Sequence, residues 1–134
     1  MSNEALLDYA EALGDEIVYY PLKEYKAITF DEQDKCHIAL AKNLSRHEEK
    51  EIVAHELGHC EYGGTYNRIS PFDITEKAEK RANKWAFYKL VPPGDVRAAF
   101  QKGIVEPWEL AEQFDVSCQF MYEALEYYKA VGII

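Results

Sequence analysis

Residues 51–64 read EIVAHELGHCEYGG, and how this stretch is built decides the fold. Ser45 offers an N-cap and Glu48, three residues on, completes a capping box. A helix is expected from there to about Tyr62, where Gly63 and Gly64 stop it. Residues four apart on a helix differ by only about 40° around its axis. His55 and His59 therefore face the same way, one turn apart, and can reach one metal ion. Glu56 stands about 100° round from His55, too far for a comfortable ligand but near enough to meet a water beside the metal.

That arrangement carries a mechanism. A divalent metal acidifies water and polarises a carbonyl, and a neighbouring glutamate takes the proton as the water attacks. The pattern HExxH is accordingly read as metal-assisted peptide hydrolysis, with Glu56 as general base. One zinc ion is expected, because zinc accepts imidazole nitrogen in a tetrahedral site. The competing reading is a surface helix with two exposed histidines. Against it, Val53, Leu57 and Cys60 form an apolar stripe on the far side, while Ala54 and Gly58 leave room for another element.

A catalytic zinc site needs a third protein ligand. Downstream, Asp73 and Glu76 suggest a second capping box opening the helix ITEKAEKRANKWAFYKL, which Pro92 and Pro93 end. On a helical projection Glu79 shares a face with Ala82, Asn83, Ala86 and Leu90, and the lysines and Arg81 fall opposite. A carboxylate on a small, apolar face calls for a cationic partner, and a metal would be one. Glu79 is the expected third ligand. Glu76, about 60° round the helix, is the rival, although it suits an ion pair with Lys80 better.

Around these two helices the chain reads as α+β. NEALLDYAEALG predicts an N-terminal helix; EIVYYPL, KAITF and CHIALA predict a small, mainly antiparallel sheet; the segments after Pro93 predict further helices. At 134 residues, one domain over 1–134 is expected, with a core at about 16–92 and a helical segment at about 93–131. A net charge of −9 speaks against phosphate tracking, so neither nucleic acid nor an anionic membrane is an expected partner. The acidic start, without a signal-peptide pattern or a long apolar run, makes the cytoplasm the expected location. Cys36, Cys60 and Cys118, widely spaced and odd in number, are expected to be reduced thiols.

The segment IVAHELGH, followed 20 residues later by EKRANKWAFYKLVP, resembles the ImmA/IrrE family of zinc metallopeptidases, whose signatures are an HELGH helix and a downstream ExxAN helix. The likeness spans roughly residues 16–92; Trp85 and Lys89 stand where phenylalanine and leucine are usual. The resemblance implies a zincin-like fold, His55, His59 and Glu79 as zinc ligands, and Glu56 as base. It also implies a phage or mobile-element protease whose protein substrate is a helix-turn-helix transcriptional repressor. The alternative is a catalytically silent zinc protein that regulates a repressor by binding it.

Weaker signals remain. ELAEQFDVSCQFMYEAL resembles a helix-turn-helix, but its second helix carries Glu123 and Glu126 and no basic residue before Lys129, so a packing or substrate-docking role is favoured. Tyr62 and Tyr66, just beyond the metal helix, are not assigned to catalysis. His37 and His47 are read as structural or exposed. Segment 26–30 or 36–41 is expected to offer a strand edge to an extended peptide.

Overall fold

A computed structural model describes residues 1–32, 35–62 and 72–134, the side chains of 72–74 excepted. Its elements are α1 (Asn3–Ala12), β1 (Glu16–Tyr20), β2 (Ala27–Glu32), β3 (Lys35–Ala41), α2 (Arg46–Glu61), α3 (Phe72–Leu90), α4 (Pro93–Gln101), α5 (Pro107–Phe114) and α6 (Cys118–Ala130). Three strands and six helices give the expected α+β, zincin-like architecture. Among the described residues no helix is long and apolar enough to cross a membrane.

The strands lie in the order β1-β3-β2. β2 returns on β3 as an antiparallel hairpin, whereas β1 pairs with β3 in parallel, so the sheet is mixed instead of mainly antiparallel. Burial explains the order. Ile38 and Leu40 are fully buried, making β3 the most apolar strand, and the central position covers it on both edges. Among the described residues β1 and β2 each have one unpaired edge. Alternation then sorts the faces: Ile17, Thr29, Cys36, Ile38 and Leu40 are turned to the helices, while Val18, Tyr20, Ile28 and Phe30 are exposed opposite.

Helix α2 is the axis of the molecule. Ser45 caps it as expected, its side chain accepting from the Glu48 N–H. Its buried face, Val53, Ala54 and Leu57, joins a core that takes in Leu6 from α1, Leu90 from α3 and Met121 from α6. Besides a hydrogen bond from Thr29 to Glu56, three ties among the described residues fix α2 to the sheet side. The Tyr19 hydroxyl donates to Glu49, and Lys26 Nζ lies 2.7 Å from Glu48 Oε2. The third is covalent.

Cys36 of β3 and Cys60 of α2 form a disulfide, with Cα atoms 6.0 Å apart; Cys118 is a free, exposed thiol. The expectation of three reduced thiols is thus corrected for two of them. Cys60 lies on the sheet-facing side of α2 and Cys36 on the helix-facing side of β3, a pairing within disulfide reach that spacing along the chain could not show.

The first turns of α2 also grip the C-terminal helices. Lys50 is fully buried, and its Nζ donates to the carbonyls of Phe114 at 3.2 Å and Asp115 at 2.9 Å, the end of α5. Glu51 accepts from the backbone and hydroxyl of Ser117, both at 2.8 Å, at the start of α6. Between them Asp115 ends α5 in the left-handed region at φ 54°, receiving His47 and Arg46 at 2.9 and 2.7 Å. In the helix-turn-helix-like segment, α6 buries Phe120, Met121, Ala124, Leu125 and Tyr128 in the core.

Candidate metal centre

The site lies where α2 crosses α3. Gly58 faces Ala82 so closely that a Cβ on Gly58 would stand 2.8 Å from the Ala82 carbonyl oxygen and 2.9 Å from its Cα. No other residue fits that contact without moving a backbone. The fully buried Ala54 and Ala82 complete the close approach. Beside these small residues, larger side chains reach across the seam.

Those side chains are His55, His59 and Glu79. His55 Nε2 lies 2.8 Å from Glu79 Oε2, His59 Nε2 lies 3.0 Å from Glu79 Oε1, and the two imidazole Nε2 atoms are 3.2 Å apart. One ligand atom from each falls within 4.8 Å of the others. Ligand atoms of a tetrahedral zinc site are roughly 3.3 Å apart, so the cluster would need to open by only a few tenths of an ångström to take an ion. His59 is buried, and His55 and Glu79 are partly exposed.

The chemistry of the donor set also fits a cation. His55 Nδ1 is 2.7 Å from Asn83 Oδ1, an acceptor; with the proton on Nδ1, Nε2 would offer its lone pair to a cation in the cluster. Outer partners of this kind orient histidine ligands and fix their tautomer. Asn83 follows Glu79 by one helical turn, on the face that the sequence projection already picked out. Its role as the partner of His55 was the part not legible, because the contact spans two helices.

Glu56 stands outside the three-residue group, and its Oε2 accepts from Thr29 Oγ1 of β2 at 2.6 Å. Sequence analysis passed over Thr29, since strand alternation gives the face of a residue but not its partner across 27 positions. Glu76 pairs with Lys80 at 3.1 Å, one turn along α3, as the salt-bridge reading had it. The capping box proposed for Asp73 involves a side chain outside the described residues, as does Tyr66. Tyr62 is exposed, with the Arg81 guanidinium 5.9 Å from its ring centre. His37 stacks on Phe30 between Glu16 and Glu32, and His47 holds Asp115; neither belongs to the cluster.

A small mixed sheet backed by two helices that share a His, His, Glu cluster defines a zincin-like domain. The chain belongs to the family described as the IrrE N-terminal-like domain, whose model matches residues 10–126. Among solved structures it is similar to a Mycobacterium tuberculosis transcriptional regulator, with a TM-score of 0.62 at 17% identity. That match covers 90% of this chain and 40% of the regulator, and at such identity it speaks for the fold alone. No curated protein matches the sequence significantly.

Proposed function

We propose that this chain is a zinc-dependent endopeptidase, acting as a single domain over residues 1–134. The observation that carries the reading is the convergence of His55, His59 and Glu79 across the α2–α3 seam, with Glu56 one residue on from His55. His55, His59 and Glu79 would hold the ion. A bound zinc supplies Lewis acidity, which polarises the scissile carbonyl and makes water a better nucleophile near neutral pH.

The chain's own residues do the rest. Glu56 receives the proton of the attacking water and delivers it to the leaving amine, so one carboxylate serves as base and then as acid. Asn83 keeps His55 Nε2 free of a proton and turned to the ion. Of the two segments expected to align a peptide, β3 is interior and fully paired; β2 has a free edge and reaches Glu56 through Thr29. An extended substrate would add to β2 by main-chain hydrogen bonds.

The substrate we infer is a helix-turn-helix repressor or a similar regulatory protein, in keeping with the family and with a phage or mobile-element setting. Purified protein is expected to carry near one equivalent of zinc. Glu56→Gln should retain the zinc and lose cleavage of fluorescein-labelled casein and of a repressor encoded beside the gene. Undiminished cleavage by that variant would remove Glu56 from the mechanism.

A further inference from the structure

Thr29 lies on the helix-facing side of β2 and donates its hydroxyl proton to Glu56 Oε2 at 2.6 Å. An ionised carboxylate only accepts, so the direction of this bond is fixed. The bond is also redundant as a fastening. Tyr19 to Glu49, Lys26 to Glu48 and the Cys36–Cys60 disulfide already tie α2 to the sheet and the chain around it. Among the described residues, the Thr29 hydroxyl is the hydrogen-bond donor that meets the Glu56 carboxylate.

We propose that Thr29 is the positioning residue of the general base. A glutamate on a helix surface samples several rotamers, and fixing one of them costs side-chain entropy. A base must meet its water within hydrogen-bond reach. The Thr29 hydroxyl holds Oε2 and leaves Oε1 to receive the proton, and Thr29 keeps its own proton throughout. Threonine suits the task because its β-branch restricts χ1, so the hydroxyl is presented from a stiff strand. The strand is also the one proposed to receive substrate, which places base and peptide on a common support.

This inference rests on the metallopeptidase reading and adds a residue to it, so the test separates the two. Zinc-loaded wild type, Thr29→Val, Thr29→Ser and Glu56→Gln are compared for zinc content, melting temperature, kcat and KM on labelled casein, and calorimetric affinity for acetohydroxamate, whose acidic proton a carboxylate base accepts. Valine preserves the β-branch and serine restores the hydroxyl. Expected for Thr29→Val are unchanged zinc and melting temperature, KM within about twofold, kcat lower by about tenfold, and hydroxamate binding weakened by a similar factor; these are the scale of one hydrogen bond to a charged group. Thr29→Ser should recover both to within about threefold.

Unchanged kcat and hydroxamate affinity in Thr29→Val would overturn the proposal while leaving the peptidase reading standing. Loss of zinc or of thermal stability in that variant would also overturn it, by assigning Thr29 to the frame. If wild type binds zinc and hydroxamate without cutting casein, the hydroxamate comparison decides alone. A wild type that takes no zinc would sink the peptidase reading, and the role of Thr29 with it.

Discussion

At the scale of single residues, the two glutamates of α3 divide the work by one helical turn. Glu79 meets both histidines, and Glu76 meets Lys80 at the surface. Glu79→Ala is therefore expected to lower zinc retention by two orders of magnitude or more under competition with a chelator, on the scale of losing a ligand outright. Glu76→Ala, which breaks an exposed i,i+4 pair, should change retention little and stability by less than about 1 kcal/mol. Equal losses in the two variants would exchange their roles.

Asp115 makes a second residue-scale case. The hydrogen bond from His47, with the Lys50 and Arg46 cations nearby, holds its carboxyl below the usual range although burial opposes this. A depressed folded-state pKa means the unfolded chain binds the proton more readily, so the stabilisation is present above about pH 4 and is lost as pH falls through the depressed value. Asp115→Asn should accordingly melt earlier than wild type at pH 6, with the gap closing towards pH 3. A gap independent of pH would remove the charge of Asp115 as the cause, since asparagine tolerates the left-handed backbone equally well.

At the scale of elements, the α2–α3 seam is set by Gly58. Alanine there gains up to about 1 kcal/mol of helix propensity. Forcing a methyl against the Ala82 backbone costs about 1–3 kcal/mol by overpacking. The second term wins, and the relief is for the helices to part, which carries Glu79 away from the histidines. Gly58→Ala is expected to weaken zinc affinity by roughly 10–100-fold while leaving a folded protein by circular dichroism. Retained affinity would show that the seam can slide without disturbing the cluster.

Elements were also where the sequence spoke most clearly. Ser45 announced a helix start, because a cap is a local bond between neighbours in the chain. Small residues at 54, 58 and 82 announced a close crossing, since a missing side chain leaves space that something must fill. The central place of β3, the parallel pairing of β1, the Cys36–Cys60 bond and the Thr29 contact were silent. Periodicity says which face a residue occupies, and each of these depends on which distant segment that face meets.

At the scale of the whole molecule, α2 gathers what the rest supplies. Its first turns hold α5 and α6 through Lys50 and Glu51, its middle meets α3 at Gly58, and its last turn is bonded to β3. The segment after Pro93 is thus anchored on the same helix that carries His55 and His59, and it buries the apolar face that α2 and α3 would otherwise expose. Truncating the chain there would uncover that face.

The bond between Cys36 and Cys60 closes a covalent ring of the chain that contains both histidines, Glu56 and the strand behind them. A backbone cut anywhere inside that ring, by another protease or by a second molecule of this one, opens a loop without parting the fragments. They stay one molecule of undiminished mass on a denaturing gel until a thiol is added. For a chain proposed to sever its own kind of bond, part of the record of self-injury is written in a form that only a reducing agent can read.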